Sequence, residues 1–285
     1  MGCRMVKMGN VWERTVEVLN GRGGMLAGIA IPTIFVPGAI GAAWKAFVPV
    51  TPGNAVIGLV VTFVATLVTI WGQLAIIAAS SDPMTDRRAA FAQANARFGP
   101  ALLVGLVLAV VLVVAYLPPF VLLAIAGMNF AALGADVPQP AIAPGYALVA
   151  GLYILVLAIV TLLLVVRLVP LYAVVLHERR GVAAIARSWR LTRRHSWRLI
   201  GVVLLFVIVL AVASTAAQSV VGLIARLALG ADARGTVAFI AALAGQAVST
   251  ALTLAAIVFS AQLYLALVTR ERLLAERAAQ QAAIA

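Results

Sequence analysis

Residues 167–198 read RLVPLYAVVLHERRGVAAIARSWRLTRRHSWR. The segment leaves an apolar run at Arg167, passes Pro170, turns at His177-Glu178-Arg179-Arg180-Gly181, and enters another apolar run after Arg198. No other connection in the chain is as charged. From Val182, the apolar positions Val182, Ile185, Ala186 and Trp189 follow helical spacing, while Arg187, Arg190, Arg194 and Arg198 take a different face. A short basic amphipathic helix between two long apolar runs belongs on a membrane surface, with Trp189 and Trp197 as interfacial anchors. Gly181 suits the tight turn that redirects the chain onto that surface.

The rest of the chain agrees with this placement. Of 285 residues, 64% are hydrophobic and only 11% charged, where a soluble domain carries about a quarter charged. Mean hydropathy is +1.11. Several runs exceed the roughly 18 apolar residues that mark a spanning helix, and runs such as 102–114 do not alternate in polarity as barrel strands do. The expected fold is all-α: a polytopic membrane bundle of six spans, near 24–44, 55–80, 101–126, 146–169, 198–225 and 236–267, with cytoplasmic amphipathic helices. It forms one membrane domain, 24–268. A cytoplasmic amphipathic N-terminus, 1–23, precedes it, with its helix ended by Asn20-Gly21, and a tail, 269–285, starts helical and frays. Pro32 and Pro37 kink the first span, and Pro118-Pro119 break or bend the third.

The net charge of +12 points to nucleic acid in a soluble protein, but here the positions of the charges carry the information. The N-terminus, the 81–98 and 177–198 connections and the tail hold seventeen Lys and Arg. The opposite connections hold three: Lys45, Arg226 and Arg234. The positive-inside rule therefore predicts both termini in the cytoplasm. A gapless shift of 94 residues lays Gln73-Leu74 on Arg167-Leu168 and residues 89–92 on 183–186, and Gln262-Leu263 echoes the first pair. The pattern suggests a threefold unit of amphipathic helix, span out and span back.

Arg167 lies where span four reaches the cytoplasmic edge. It snorkels to the headgroups, meets Glu178, about 16 Å along a straight helix, across a bend at Pro170, or pairs with a group on another span or another molecule. Glu178 caps the next helix or pairs with Arg179, Arg180 or Arg194. Span six carries Gln246, Thr250, Thr253 and Ser260, and span five Ser214, Thr215, Gln218 and Ser219. These fit hydrogen bonds between helices. No Asp or Glu lies at mid-depth, which speaks against ion-coupled transport. His177 and His195 are the only histidines and Cys3 the only cysteine, so neither a metal site nor a catalytic set is expected. No nucleophile elbow, Walker loop or His-Glu-x-x-His motif occurs.

Arg167, Pro170, Glu178, Gly181, Ala184, Ser188-Trp189, Leu191 and Trp197 form a motif similar to one in a bacterial family of six-span membrane proteins. That family is the glycerophosphoryl diester phosphodiesterase membrane domain, with relatives in the YciC-like group. Ala261-Gln262-Leu263-Tyr264, Leu267 and Arg270 resemble its closing motif. The resemblance implies a membrane domain without the catalytic barrel, and so without phosphodiesterase activity.

The leading expectation is a non-enzymatic protein of the bacterial inner membrane, without cofactor or nucleic acid. Its partners are anionic phospholipids, a membrane protein or a second copy of itself. The headgroup candidates are Arg167, Arg187, Arg190, Arg193, Arg194, Arg198, Trp189 and Trp197, with Pro170, Glu178, Gly181 and Ser188 as the structural motif. The alternative is a transporter of small molecules or lipids with a cavity between spans five and six.

Overall fold

In a computed structural model 92% of the described residues are helical and none is in a strand; the described residues are 8–49, 51–128, 130, 144–179, 181–193, 196–230 and 232–284. Six helices are long and apolar enough to cross a membrane, so the protein is a multi-pass helical membrane protein. The helices are α1 (Met8–Ala30), a π-helical turn (Ile31–Phe35), α2 (Val36–Phe47), α3 (Pro52–Ser81), α4 (Arg87–Ile125), α5 (Pro144–Leu168), α6 (Leu171–Glu178), α7 (Ala183–Thr192), α8 (Ser196–Leu229) and α9 (Arg234–Ile284).

Neighbouring spans pack as a ring. α2 contacts α3 and α9, α3 contacts α4, α4 contacts α5, α5 contacts α8, and α8 contacts α9. α1 leans on α3 and α9, and α6 wedges among α3, α4 and α9. The apolar core sits at one level of this ring. Leu74–Ala79, Leu171–Leu176 and Leu254–Tyr264 supply most of it, joined by Leu26, Ile29 and Val104. This level lies toward the end of the bundle that carries both described chain ends, called the terminal end below. The outward faces of α5 and α8 are apolar and exposed, from Leu148 to Leu163 and from Leu204 to Leu227, as a lipid-facing surface requires.

Prolines determine much of the local geometry. Pro37 has no N–H to give to the Thr33 carbonyl four residues back. The chain there widens into the π-helical turn, and Thr69 Oγ1 on α3 donates to Thr33 O at 3.2 Å. Gly72 allows the approach, because a Cβ there would stand 2.1 Å from Thr33 Oγ1. Pro119 likewise frees the Ala115 carbonyl, which accepts the Tyr153 hydroxyl of α5 at 3.1 Å. Supplying a replacement donor is how membrane helices tolerate proline. Of the expected break or bend at Pro118-Pro119, the break does not occur: α4 is one helix through Pro100, Pro118 and Pro119.

Three further expectations are corrected. The N-terminal helix does not end at Asn20-Gly21; α1 continues to Ala30. Arg22 donates to the carbonyls of Ala79, Asp82 and Thr85, and Leu26 and Ile29 are buried, so packing overrides the weak helix propensity of Gly21, Gly23 and Gly24. The tail does not fray, since α9 runs unbroken to Ile284 and its Ala-rich end favours helix intrinsically. The turn after α6 is made by Arg179, the one non-glycine residue at positive φ among those described (φ 55°), rather than by Gly181.

The 94-residue shift also aligns buried positions. Ala90 and Ala94 on α4 correspond to Ala184 and Ser188 on α7, and all four are fully buried. The two helices dock through the same small-residue face. Only α7 is a separate helix, because α1 and α4 carry their amphipathic segments into the following span without a break.

Candidate functional site

Within the ring lies an open cavity of about 1060 Å³. Its α3 wall is Thr62, Thr66, Thr69 and Gln73, spaced four, three and four residues apart, so that they share one helix face. Its α9 wall repeats the spacing with Ala242, Gln246, Ser249 and Thr253. Ser214 and Gln218 come from α8, and Gly38, Gly41 and Lys45 from α2. Tyr172 on α6 and Gly105 on α4 join the lining, and apolar side chains such as Val61, Ala65, Ile70 and Ala238 fill the spaces between the polar ones. From Thr62 to Gln73 the wall is about 17 Å long at 1.5 Å per residue, over half the hydrocarbon thickness.

The hydroxyls of this face satisfy themselves without filling the space. Thr62 donates to Gly58 O and Thr66 to Thr62 O, both at 2.8 Å, one turn back along the same helix. Gln246 Nε2 reaches the Ile34 carbonyl of the π-helical turn at 3.3 Å. Glycine gives the amides room: a Cβ on Gly38 would lie 2.1 Å from the Gln246 side chain, and one on Gly245 would lie 2.3 Å from Gln218. Beyond Gln73 the same helix turns fully apolar and buried, and the cavity ends at the core. Toward the far end Thr62, Thr66 and Gln218 are exposed.

That far mouth is basic. Lys45 lies in the cavity wall, and Arg226 and Arg234 line a smaller adjoining space of about 570 Å³ that shares Gln218 and Ala238 with it. Close packing of Gly235 against Ala46 O and of Phe47 against Phe239 brings α9's start to α2's end. The three cations that the charge count assigned to the opposite connections therefore gather at one opening. No Asp or Glu lines either space among the described residues.

At the terminal end the motif residues form a clamp. Pro170 interrupts the chain between α5 and α6, and the Arg167 carbonyl there accepts from Ser188 Oγ at 2.9 Å and Thr192 Oγ1 at 3.1 Å, which docks α7. Arg187 Nε donates to both Glu178 oxygens at 3.0 and 3.1 Å, and its terminal nitrogens hold Glu271 on α9. The Glu271 hydrogen bond, then Glu178, raises the Arg187 pKa further above its ordinary value, against the opposing effect of burial. His177 stacks on Tyr264, ring centroids 5.4 Å apart, and its Nε2 lies 3.0 Å from Ser81 Oγ.

Glu178 is thus bound by Arg187, and the pairing with Arg167 is not formed. Arg167 instead lies under Trp189, 4.8 Å from its ring centroid, and its buried Nη1 has no hydrogen-bond acceptor among the described residues. Arg187 is drawn inward, whereas Arg190, Arg193, Arg198 and Trp197 are exposed. Arg194, Arg180 and His195 lie outside the described residues. Among polar span residues, Gln246, Thr253, Ser214 and Gln218 face the cavity, whereas Thr250 is buried and bonds back to Gln246 O at 2.7 Å. The α3 stripe was not singled out from sequence, although its spacing is legible there. The expected cavity between spans five and six extends to spans one and two.

Residues 96–267 match a family model described as a domain of unknown function, DUF7847. The chain belongs to this family. The matched region runs from α4 to the buried end of α9, so it includes the α8 and α9 walls of the cavity but not α2 and α3. No curated protein and no solved structure gives a significant match. Nothing in these matches connects the DUF7847 region with the glycerophosphoryl diester phosphodiesterase membrane domains.

Proposed function

We propose that the protein is a non-enzymatic carrier of a small polar or anionic organic solute in a bacterial cytoplasmic membrane, with both termini in the cytoplasm. The observation that carries this reading is the set of amides and hydroxyls that face the otherwise largely apolar cavity inside the ring. Amides and hydroxyls on apolar helices are costly in hydrocarbon unless they face a partner or water, and here four helices turn them toward one shared space. Lys45, Arg226 and Arg234 at the mouth would concentrate anions from the non-cytoplasmic side. Gln246 and Gln218 would orient the solute. The apolar core below Gln73 is the closed gate of this state. The absence of carboxylates among the described lining residues suits a solute that is not a cation.

The test uses the single cysteine, Cys3. In a Cys3→Ser background, Thr66→Cys and Ser249→Cys should react with a membrane-impermeant maleimide added outside spheroplasts, and Ala78→Cys should not. Vesicles holding the protein should accumulate one or more members of a panel of labelled polyols, carboxylates and phosphate esters, and Gln246→Leu should abolish this. Protection of Thr66→Cys and Ser249→Cys from both sides, or no accumulation above empty vesicles, would end the proposal. A second reading, contact of α7 with anionic lipid, is favoured by one observation: the buried Arg167 Nη1 has no acceptor among the described residues, and a lipid phosphate could supply one.

A further inference from the structure

A second space, about 930 Å³, lies away from the central cavity, between α1 and α9. Its α1 wall is Asn10, Val11, Arg14, Glu17, Val18, Gly21 and Arg22, and its α9 wall is Gln262, Leu265, Ala266, Thr269, Arg270 and Leu273. Each set falls on one helix face. Ser80, Ser81 and Pro83 at the end of α3 close the groove. Among the described lining residues are three arginines and one carboxylate, Glu17, which lies 3.5 Å from Arg14. Arg22 is held in place by the carbonyls of Ala79, Asp82 and Thr85, so its charge is fixed with no carboxylate in those contacts. Between the arginines run Val18, Leu265 and Ala266. Trp12 is half exposed on the flank of α1 beside Phe259, the position of an interfacial aromatic anchor.

We propose that this groove binds the phosphate of an anionic phospholipid from the leaflet at the terminal end. The phosphate lies near Arg14, Arg22 and Arg270, and an acyl chain follows Val18, Leu265 and Ala266. Arg14 and Arg270 offer the phosphate charge-assisted hydrogen bonds, and Arg22, whose terminal nitrogens are engaged by carbonyls and by Met25 Sδ, adds fixed positive charge. A groove that pairs this chemistry with an apolar wall, on helices passing from a span to the surface, fits an amphiphile better than a free ion. The site is separate from the α7 surface and from the central cavity, and it does not depend on the carrier reading.

The experiment is native mass spectrometry of the full chain in mild detergent, with phosphatidylglycerol, phosphatidylcholine and inorganic phosphate offered in separate arms. Phosphatidylglycerol should be retained over phosphatidylcholine. Each basic residue near an anionic surface strengthens binding about fivefold, so Arg14→Gln with Arg270→Gln should reduce retention about twenty-fivefold. Ala266→Trp, which leaves every arginine in place but fills the groove, should also lose the lipid. Arg88→Gln, on the exposed part of α4, should not. If the double variant melts early, Ala266→Trp decides alone. Retention unchanged in Ala266→Trp, equal retention of phosphatidylcholine, or arginine-dependent binding of inorganic phosphate alone would each overturn the proposal.

Discussion

Arg187 holds two carboxylates, and their environments decide which one matters. The Glu271 contacts are at least as short, at 2.8 and 2.5 Å against 3.0 and 3.1 Å for Glu178, and Glu271 contributes most to raising the Arg187 pKa. Distance alone would rank Glu271 first. Its side chain is 50% exposed, however, whereas Glu178 is 16% and Arg187 18% exposed. Water and salt screen the outer pair, which limits it to about 0.5 kcal/mol. Removing one partner of a buried pair costs about 3–5 kcal/mol. Because Arg187 keeps a second carboxylate, Glu178→Gln should cost about 2 kcal/mol, near a thirtyfold shift in the folding equilibrium. Glu271→Gln should shift it about twofold. The assay is reversible unfolding in mixed micelles against the mole fraction of SDS, followed by tryptophan fluorescence, with each variant also made on Arg187→Gln for double-mutant cycles. If Glu271→Gln proves the more destabilising, or if the Arg187–Glu178 coupling vanishes, the ranking by burial is wrong.

Two other perturbations address the π-helical turn and the close contacts. Thr69→Val keeps the shape of the side chain but leaves the Thr33 carbonyl beside Pro37 without its donor; the same unfolding assay should show a loss of about 1–2 kcal/mol that Thr69→Ser largely restores. Gly72→Ala forces a methyl against buried Thr33 and should cost about 1–3 kcal/mol, whereas Gly38→Ala meets only the flexible end of Gln246 and should cost less while slowing solute accumulation. Equal destabilisation by the two glycine variants would refute the distinction.

The residues differ in how far sequence alone reveals their roles. Long apolar runs determined six spans by themselves, because backbone polar groups in hydrocarbon must be satisfied within the segment, and a run of about 20 apolar residues leaves helix as the solution. Period and composition also gave the amphipathic character of 183–192, but the face it docks with is Ala184, Ser188 and Thr192, while Val182, Ala186 and Trp189 of the expected apolar face stay exposed. Helix ends were less legible. Asn20-Gly21 and Pro118-Pro119 are breakers by local propensity, yet α1 and α4 pass through them. The reason is tertiary: Arg22 ties α1 to the end of α3, and Tyr153 supplies the donor that Pro119 lacks. The partner of Glu178 was equally out of reach, since Arg187 meets it, and meets Glu271 on α9, only after the Pro170 interruption lets α7 dock. The cavity shows the division most clearly. The sequence determined that Thr62, Thr66, Thr69 and Gln73 share a helix face, but only the closure of the ring decided that this face looks across at Gln246, Ser249 and Thr253 rather than into lipid. Helical periodicity is a local property. Which stripes meet is set by packing between spans far apart in the chain.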